Sequence, residues 1–296
     1  MKYNDYIKIK KDNKMKKKTL SIAYIALTAM FGLFGAGWLL SLLLEYYNAS
    51  TNGFVASGAT LTAVSIVLFV FIVAAFIVRW KLVGKNEDAK IAPKALYGVI
   101  AVMIFVSGIM SMIKLFSSKQ YITSTMYYVF ALLSTSFSFV VALFFALKLT
   151  RFEKKTEQFS LIVPVWLLFS IGASYFNTAY TYTSFTRAVM NLAIAAMLLF
   201  TMAEIREYIG RKHFVLLSVS SAAATVLGTT ALVSRFIFII ARSAEFSFSD
   251  CQETAIFAML IYVYASSVFK NHTIEKEPPK AEAETPETPP KTEQTE

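Results

Sequence analysis

The sequence predicts an all-α, polytopic integral membrane protein of about eight transmembrane helices, arranged as a bundle of four antiparallel hairpins. Three observations carry this. The 296 residues are 56% hydrophobic and 16% charged, with a mean hydropathy of +0.55, whereas soluble domains hold about 45–50% apolar and 25% charged residues. Eight apolar runs lie near the ~20 residues needed to cross a bilayer. The basic residues gather between those runs, and mostly in alternate gaps.

The first 18 residues carry eight lysines, so residues 1–19 read as a basic cytoplasmic arm. Such an arm can rest on anionic lipid, at about 1 kcal/mol per basic residue near the surface. It leads into some 25 apolar residues, too long for the apolar core of a cleavable signal. The transmembrane domain, 20–270, divides into spans at 20–44, 54–78, 95–117, 125–149, 161–183, 185–204, 214–240 and 250–269. Arg79, Lys81, Lys85, Lys90 and Lys94 fill the second connection; Lys148, Arg151, Lys154 and Lys155 the fourth; Arg206, Arg211 and Lys212 the sixth. With the arm and the tail, one side holds 24 basic residues and the other five. By the positive-inside rule both termini are cytoplasmic. The tail, 271–296, is rich in Pro, Glu and Thr. It has too little apolar surface to offset chain entropy and reads as disordered.

The net charge of +10 is therefore an orientation signal; with no soluble domain to hold a groove, nucleic acid is excluded as a partner. The partners implied are the lipid bilayer, anionic lipid at the arm, and other membrane proteins. One cysteine, Cys251, excludes an internal disulfide. The Lys-rich, cysteine-poor composition points to a bacterial plasma membrane.

Within the bundle, the seventh run stands out. Ser218-Val-Ser-Ser-Ala-Ala-Ala-Thr-Val-Leu-Gly228 is the smallest-residue stretch, with Ser218/Ala222, Ser220/Ala224 and Ala224/Gly228 each four apart. Helices in lipid associate through close backbone approach over small residues, so this span belongs at the centre. Gly32, Gly35 and Gly37 in the first span, with Ala36, read as a packing face.

Candidate functional residues are the polar groups that lipid penalises. The outer half of span five supplies Tyr175, Asn177, Thr178, Tyr180 and Tyr182, either the wall of an outward-open cavity or an interfacial aromatic belt. Asn191 lies at a similar depth. Spans six and eight are short enough to draw Arg187, Glu204 and Glu253 towards the bilayer edges, and Arg235 also lies inside the outer interface. Along consecutive antiparallel helices Arg235 and Glu253 differ in depth by about 4–5 Å at 1.5 Å per residue, which predicts an ion pair. The candidate outer polar site is therefore Tyr175, Asn177, Tyr180, Arg187, Asn191, Arg235 and Glu253. A second, cytoplasmic helix-end cluster comprises Glu204, Arg206, Glu207 and Arg211.

Enzyme classes fare poorly. Gly172-Ala-Ser174 resembles the nucleophile motif of rhomboid-type intramembrane proteases, but both histidines, His213 and His272, lie at the opposite side, and serine needs a base within reach. Glu207-Tyr-Ile-Gly-Arg211 resembles part of a prenyl-protein-processing protease motif, but Arg206 replaces its first Glu and the later histidine motifs are missing. No His/Cys/Glu spacing suits a metal and no glycine loop suits a phosphate. The sequence thus implies no cofactor. It favours a non-catalytic assembly, binding or sensing subunit, with a transporter or channel for a small, weakly charged solute as the alternative.

Overall fold

A computed structural model describes residues 3–48, 53–54, 58–80, 94–117, 124–149, 159–177, 185–209, 214–242 and 247–268. They form eight helices: α1 (Tyr3–Tyr46), α2 (Gly58–Val78), α3 (Lys94–Ser117), α4 (Thr125–Leu147), α5 (Ile162–Phe176), α6 (Phe185–Tyr208), α7 (Phe214–Arg242) and α8 (Phe248–Val268). Between α1 and α2, two-residue strands pair antiparallel, Tyr47 with Phe54 and Asn48 with Gly53. The basic arm and the first span share one 44-residue helix. The tail lies outside the described residues.

Among the described residues, five helices are long and apolar enough to cross a membrane alone, in α1, α3, α4, α6 and α7. The remaining three are shorter or more polar. The apolar part of α2, Thr62–Val78, is short. Helix α5 has 15 residues, about 22 Å at 1.5 Å each. The first turns of α8 carry Asp250, Gln252 and Glu253. Large apolar side chains such as Phe34, Phe69, Val102, Leu143, Leu192 and Ile240 face outwards, which in a helical bundle is a lipid-facing belt. The chain is a multi-pass helical membrane protein.

Helices α3 to α8 pack in sequence order, and α8 returns to α3, closing a ring of six. Helix α1 packs on the outside of α7, and α2 against both. The chain enters each hairpin from one end, called here the termini end, and turns at the opposite, distal end. Two-thirds of the α7 span is buried, against 39–50% of the other four, so α7 is the central helix that its composition predicts. Its Ser218, Ser221, Ala222, Ala224, Thr225 and Val226 are fully buried.

Glycine decides how α1 meets α7. The two run parallel, Tyr24 beside Ser221 and Gly32 beside Thr229 and Thr230. A Cβ on Gly32 would lie 2.4 Å from Thr229 Cβ, and one on Gly35 would lie 2.5 Å from Thr230 Oγ1. Gly37 has nothing within 4 Å of such an atom, so it stands apart from the packing face that the sequence assigns to all three. Thr230 Oγ1 donates to the Gly32 carbonyl at 3.3 Å.

Two basic residues that the sequence places in solvated turns are in fact buried. Arg79, just past α2, is 4% exposed, donates to Ser221 Oγ and lies over the Tyr24 ring at 5.7 Å. Lys148, the C-cap of α4, is also 4% exposed, with its ammonium 4.9–5.6 Å from the Tyr97, Phe144 and Tyr262 rings. Aromatic faces attract cations most strongly where water is excluded, so charge count alone misjudges where these side chains end.

Gly32→Ala should lower stability by about 1–3 kcal/mol, the range for overpacking a tight contact. Gly37→Ala should leave it unchanged or raise it slightly, because alanine is the better helix former. Thermal melting of both variants in detergent checks this; equal effects would remove the α1–α7 contact as the discriminating feature.

Candidate functional site

The distal site begins with a helix start. Ser247 precedes α8, and Asp250 stands three residues on, the spacing of a capping box. Ser247 Oγ accepts from the Asp250 N–H at 3.3 Å, and Asp250 Oδ2 accepts from the Ser247 N–H at 2.8 Å and its hydroxyl at 2.6 Å. The other carboxylate oxygen, Oδ1, accepts from Arg235 Nε of α7 at 3.0 Å. Asp250 is 1% exposed. One carboxylate therefore starts α8 and ties it to α7.

The predicted Arg235–Glu253 ion pair is present at its longest reach, with Asp250 as the nearer partner. Glu253 Oε2 lies 4.0 Å from Arg235 Nε and has no hydrogen-bond partner, so Arg235 bonds Asp250 first and Glu253 only at a distance. Depth arithmetic could not separate two carboxylates three residues apart on one face; the capping box, which turns Asp250 towards the helix start, did.

Around this anchor α1 and α4 to α8 leave a chamber with about 60 Å³ of room for water-sized occupants, where one water needs about 10–15 Å³. Asn177 of the α5 end, Arg187 of α6, Arg235 of α7, and Gln252 and Glu253 of α8 all line it, with Ser170 deeper on α5. Apolar side chains such as Leu39, Met190, Ile194 and Ile256 form the rest of the wall. Asn177 Nδ2 donates to Ser249 Oγ at 3.4 Å, joining α5 to α8.

A smaller chamber, about 10 Å³, lies between α3, α4, α5 and α8. Ser107, Ser111, Ser134, Thr135 and Ser138 line it. Ser170 and Gln252 line both chambers, so the two are neighbours along one polar path. Ser107 stands ten residues from the distal end of α3, about 15 Å down at 1.5 Å per residue, which is mid-membrane for a ~30 Å core.

Four of the seven predicted outer residues thus converge: Asn177, Arg187, Arg235 and Glu253. Tyr175 does not line the chamber; it is 53% exposed, with the Arg187 guanidinium 5.8 Å over its ring. Asn191 lies elsewhere on α6, its Oδ1 buried without a hydrogen-bond partner. Tyr180, with Thr178 and Tyr182, lies outside the described residues. Helix α5 ends at Phe176 and Asn177 is extended, φ −68° and ψ 108°; the rest of the expected span lies outside the described residues. Asn and Thr favour such ends over helix interiors.

The predicted cytoplasmic cluster is described only in part. Glu204 accepts from the Tyr262 hydroxyl at 2.9 and 3.2 Å, whereas Arg206 is exposed. Two residues on a helix are about 200° apart, so the two point to opposite sides. Glu207 is half-buried, and Arg211 lies outside the described residues. At this end Tyr262 instead joins Glu204 to the Lys148 aromatic box. Among the described residues no three His, Cys, Asp or Glu side chains could hold a metal ion.

Sequence reasoning missed Gln252 and the hydroxyls of α3 and α4. Their signal was visible, Ser107/Ser111 and Ser134/Ser138 each four apart, but small polar residues at that spacing also serve helix packing.

Asp250→Asn and Arg235→Gln should each cost about 3 kcal/mol or more, since either leaves a buried charge without its partner. In a double-mutant cycle this pair should couple by about 1–3 kcal/mol, and Arg235 with Glu253 by clearly less. Stability in detergent for the two cycles measures the difference; a larger Arg235–Glu253 coupling would reverse the assignment of partners.

No family model matches the chain, and no curated protein or solved structure matches it either.

Proposed function

We propose that the chain is a non-catalytic membrane carrier that binds a small, weakly charged polar solute in the distal chamber and passes it through the bundle. The observation that carries this reading is the continuity of polar lining. Charged groups at the distal end give way, through Ser170 and Gln252, to hydroxyls at mid-membrane. A bundle that only packs pairs its mid-membrane hydroxyls between helices, as α7 does, whereas Ser107 Oγ and Thr135 Oγ1 are buried without a partner. Transport therefore takes precedence over the subunit reading that composition favours.

The other end supports a one-sided state. Tyr97, Phe145, Phe200 and Tyr262 are buried there and stack against one another. With Lys148 among them, the bundle interior is filled where the chamber would otherwise continue. The 24-to-5 bias of basic residues supports a reading in which this filled end faces the cytoplasm and the chamber faces outwards, in a bacterial plasma membrane. Anionic lipid would hold the N-terminal arm.

The test is binding and counterflow by the full chain, in nanodiscs and proteoliposomes. The probes are labelled glycine, L-serine, L-alanine, urea and glycerol. At least one should bind and exchange, and Arg187→Gln or Glu253→Gln should weaken its binding tenfold or more while the protein still elutes as a folded species. A protein that takes up none of these, and co-purifies in fixed ratio with another membrane protein, returns the assignment to the subunit reading.

A further inference from the structure

The inner chamber has a hydrogen-bond balance that its own walls do not close. Ser138 Oγ donates to the Thr135 carbonyl at 2.6 Å, and Ser170 Oγ donates to the Trp166 carbonyl at 3.0 Å. Because Ser170 has spent its proton, Ser134 is the donor in the 2.8 Å Ser134–Ser170 pair. Left over are Ser107 Oγ, Thr135 Oγ1 and Gln252 Nε2, all buried without a hydrogen-bond partner. Ser107 is 3% and Thr135 2% exposed, and all three residues line the same 10 Å³ space. Gly108 lets α3 approach α4 beside that space, since a Cβ there would lie 2.5 Å from Ser138 Oγ.

Unpaired buried polar groups are rare and costly, more so in lipid, where water cannot reach them. Three around one water-sized space describe a place for one small group that both donates and accepts. A cation fits poorly: Gln252 Nε2 is a donor, and no carboxylate lines this chamber to offset a charge at mid-membrane. The neighbouring large chamber has the opposite character. Arg187, Arg235 and Glu253 line it and Asp250 stands behind Arg235, so basic and acidic side chains both belong to its wall. Basic and acidic groups side by side suit a solute that itself carries an anionic and a cationic group.

We infer that the two chambers together select a small zwitterion with a short hydroxyl-bearing tail, its charged groups held in the large chamber and its hydroxyl reaching the Ser107–Thr135–Gln252 space. This rests on the solute-binding reading and adds the class of solute and the residues that choose it. Ser107 and Thr135 are then specificity-determining. A site built to hydrogen-bond a substrate hydroxyl discriminates against the analogue lacking it, because its own polar groups stay unpaired. Water can occupy the space when the tail is a methyl, which softens that discrimination.

The probes are L-serine and L-alanine, which differ by this hydroxyl alone, with the full chain in nanodiscs. L-Serine should bind at least tenfold more tightly. Thr135→Val keeps the side-chain shape and Ser107→Ala removes little volume; each should bring the ratio near one, chiefly by weakening L-serine. Equal affinity in the wild type overturns the inference, as does a ratio that neither variant changes. If neither amino acid binds but glycerol or urea does, the zwitterion class is wrong and the solute-binding reading stands. If no probe binds, both fall.

Discussion

Close backbone approach to α7 is the constraint on which the rest of the bundle depends. Lipid is as apolar as leucine, so helices gain little by burying apolar surface against each other and must gain by contact and hydrogen bonding. The small face of α7 provides both. Gly32 and Gly35 let α1 reach Thr229 and Thr230. Ser221 meets Tyr24 of α1, Arg79 beyond α2 and Ser267 of α8, the last at 2.6 Å. Thr229 meets the Tyr264 hydroxyl of α8 at 2.9 Å. A single helix thus holds neighbours on several sides, and every contact requires a short side chain at that point.

With α7 fixed, its distal end acquires a chemical role. Arg235 sits near the end of α7, where Asp250 holds it, and Asp250 is itself held by the cap of α8. That arrangement sets the rotation of α8 about its axis. Gln252 and Glu253, two and three residues on, then line the large chamber, and Gln252 the small one as well. The local rule for starting a helix and the placement of the chamber's polar lining therefore share one carboxylate.

The termini end follows a different logic. Its cations are buried against rings: Arg79 over Tyr24, and Lys148 among Tyr97, Phe144 and Tyr262. Aromatic side chains fill space and stabilise a cation together, so this end is packed while the distal end is hollow. The two ends of one bundle differ because the rings at the termini end fill its interior, whereas at the distal end carboxylates and amides line a chamber.

The class of the protein was legible in the sequence, because length and apolarity of a run are local properties that lipid enforces residue by residue. The central place of α7 was legible for the same reason, as was the approach of Asn177, Arg187, Arg235 and Glu253 to one end, since depth follows from counting along helices. Rotation about the helix axis is not a local property. It decided that Asp250 is a nearer partner of Arg235 than Glu253, and that Tyr175 does not line the chamber. Ser107, Thr135 and Gln252 meet only because α3, α4, α5 and α8 converge, and no spacing along one chain reveals a cavity shared by four helices. Depth was written in the sequence; facing was settled by packing, where each helix turns to the side on which its small and polar residues find partners.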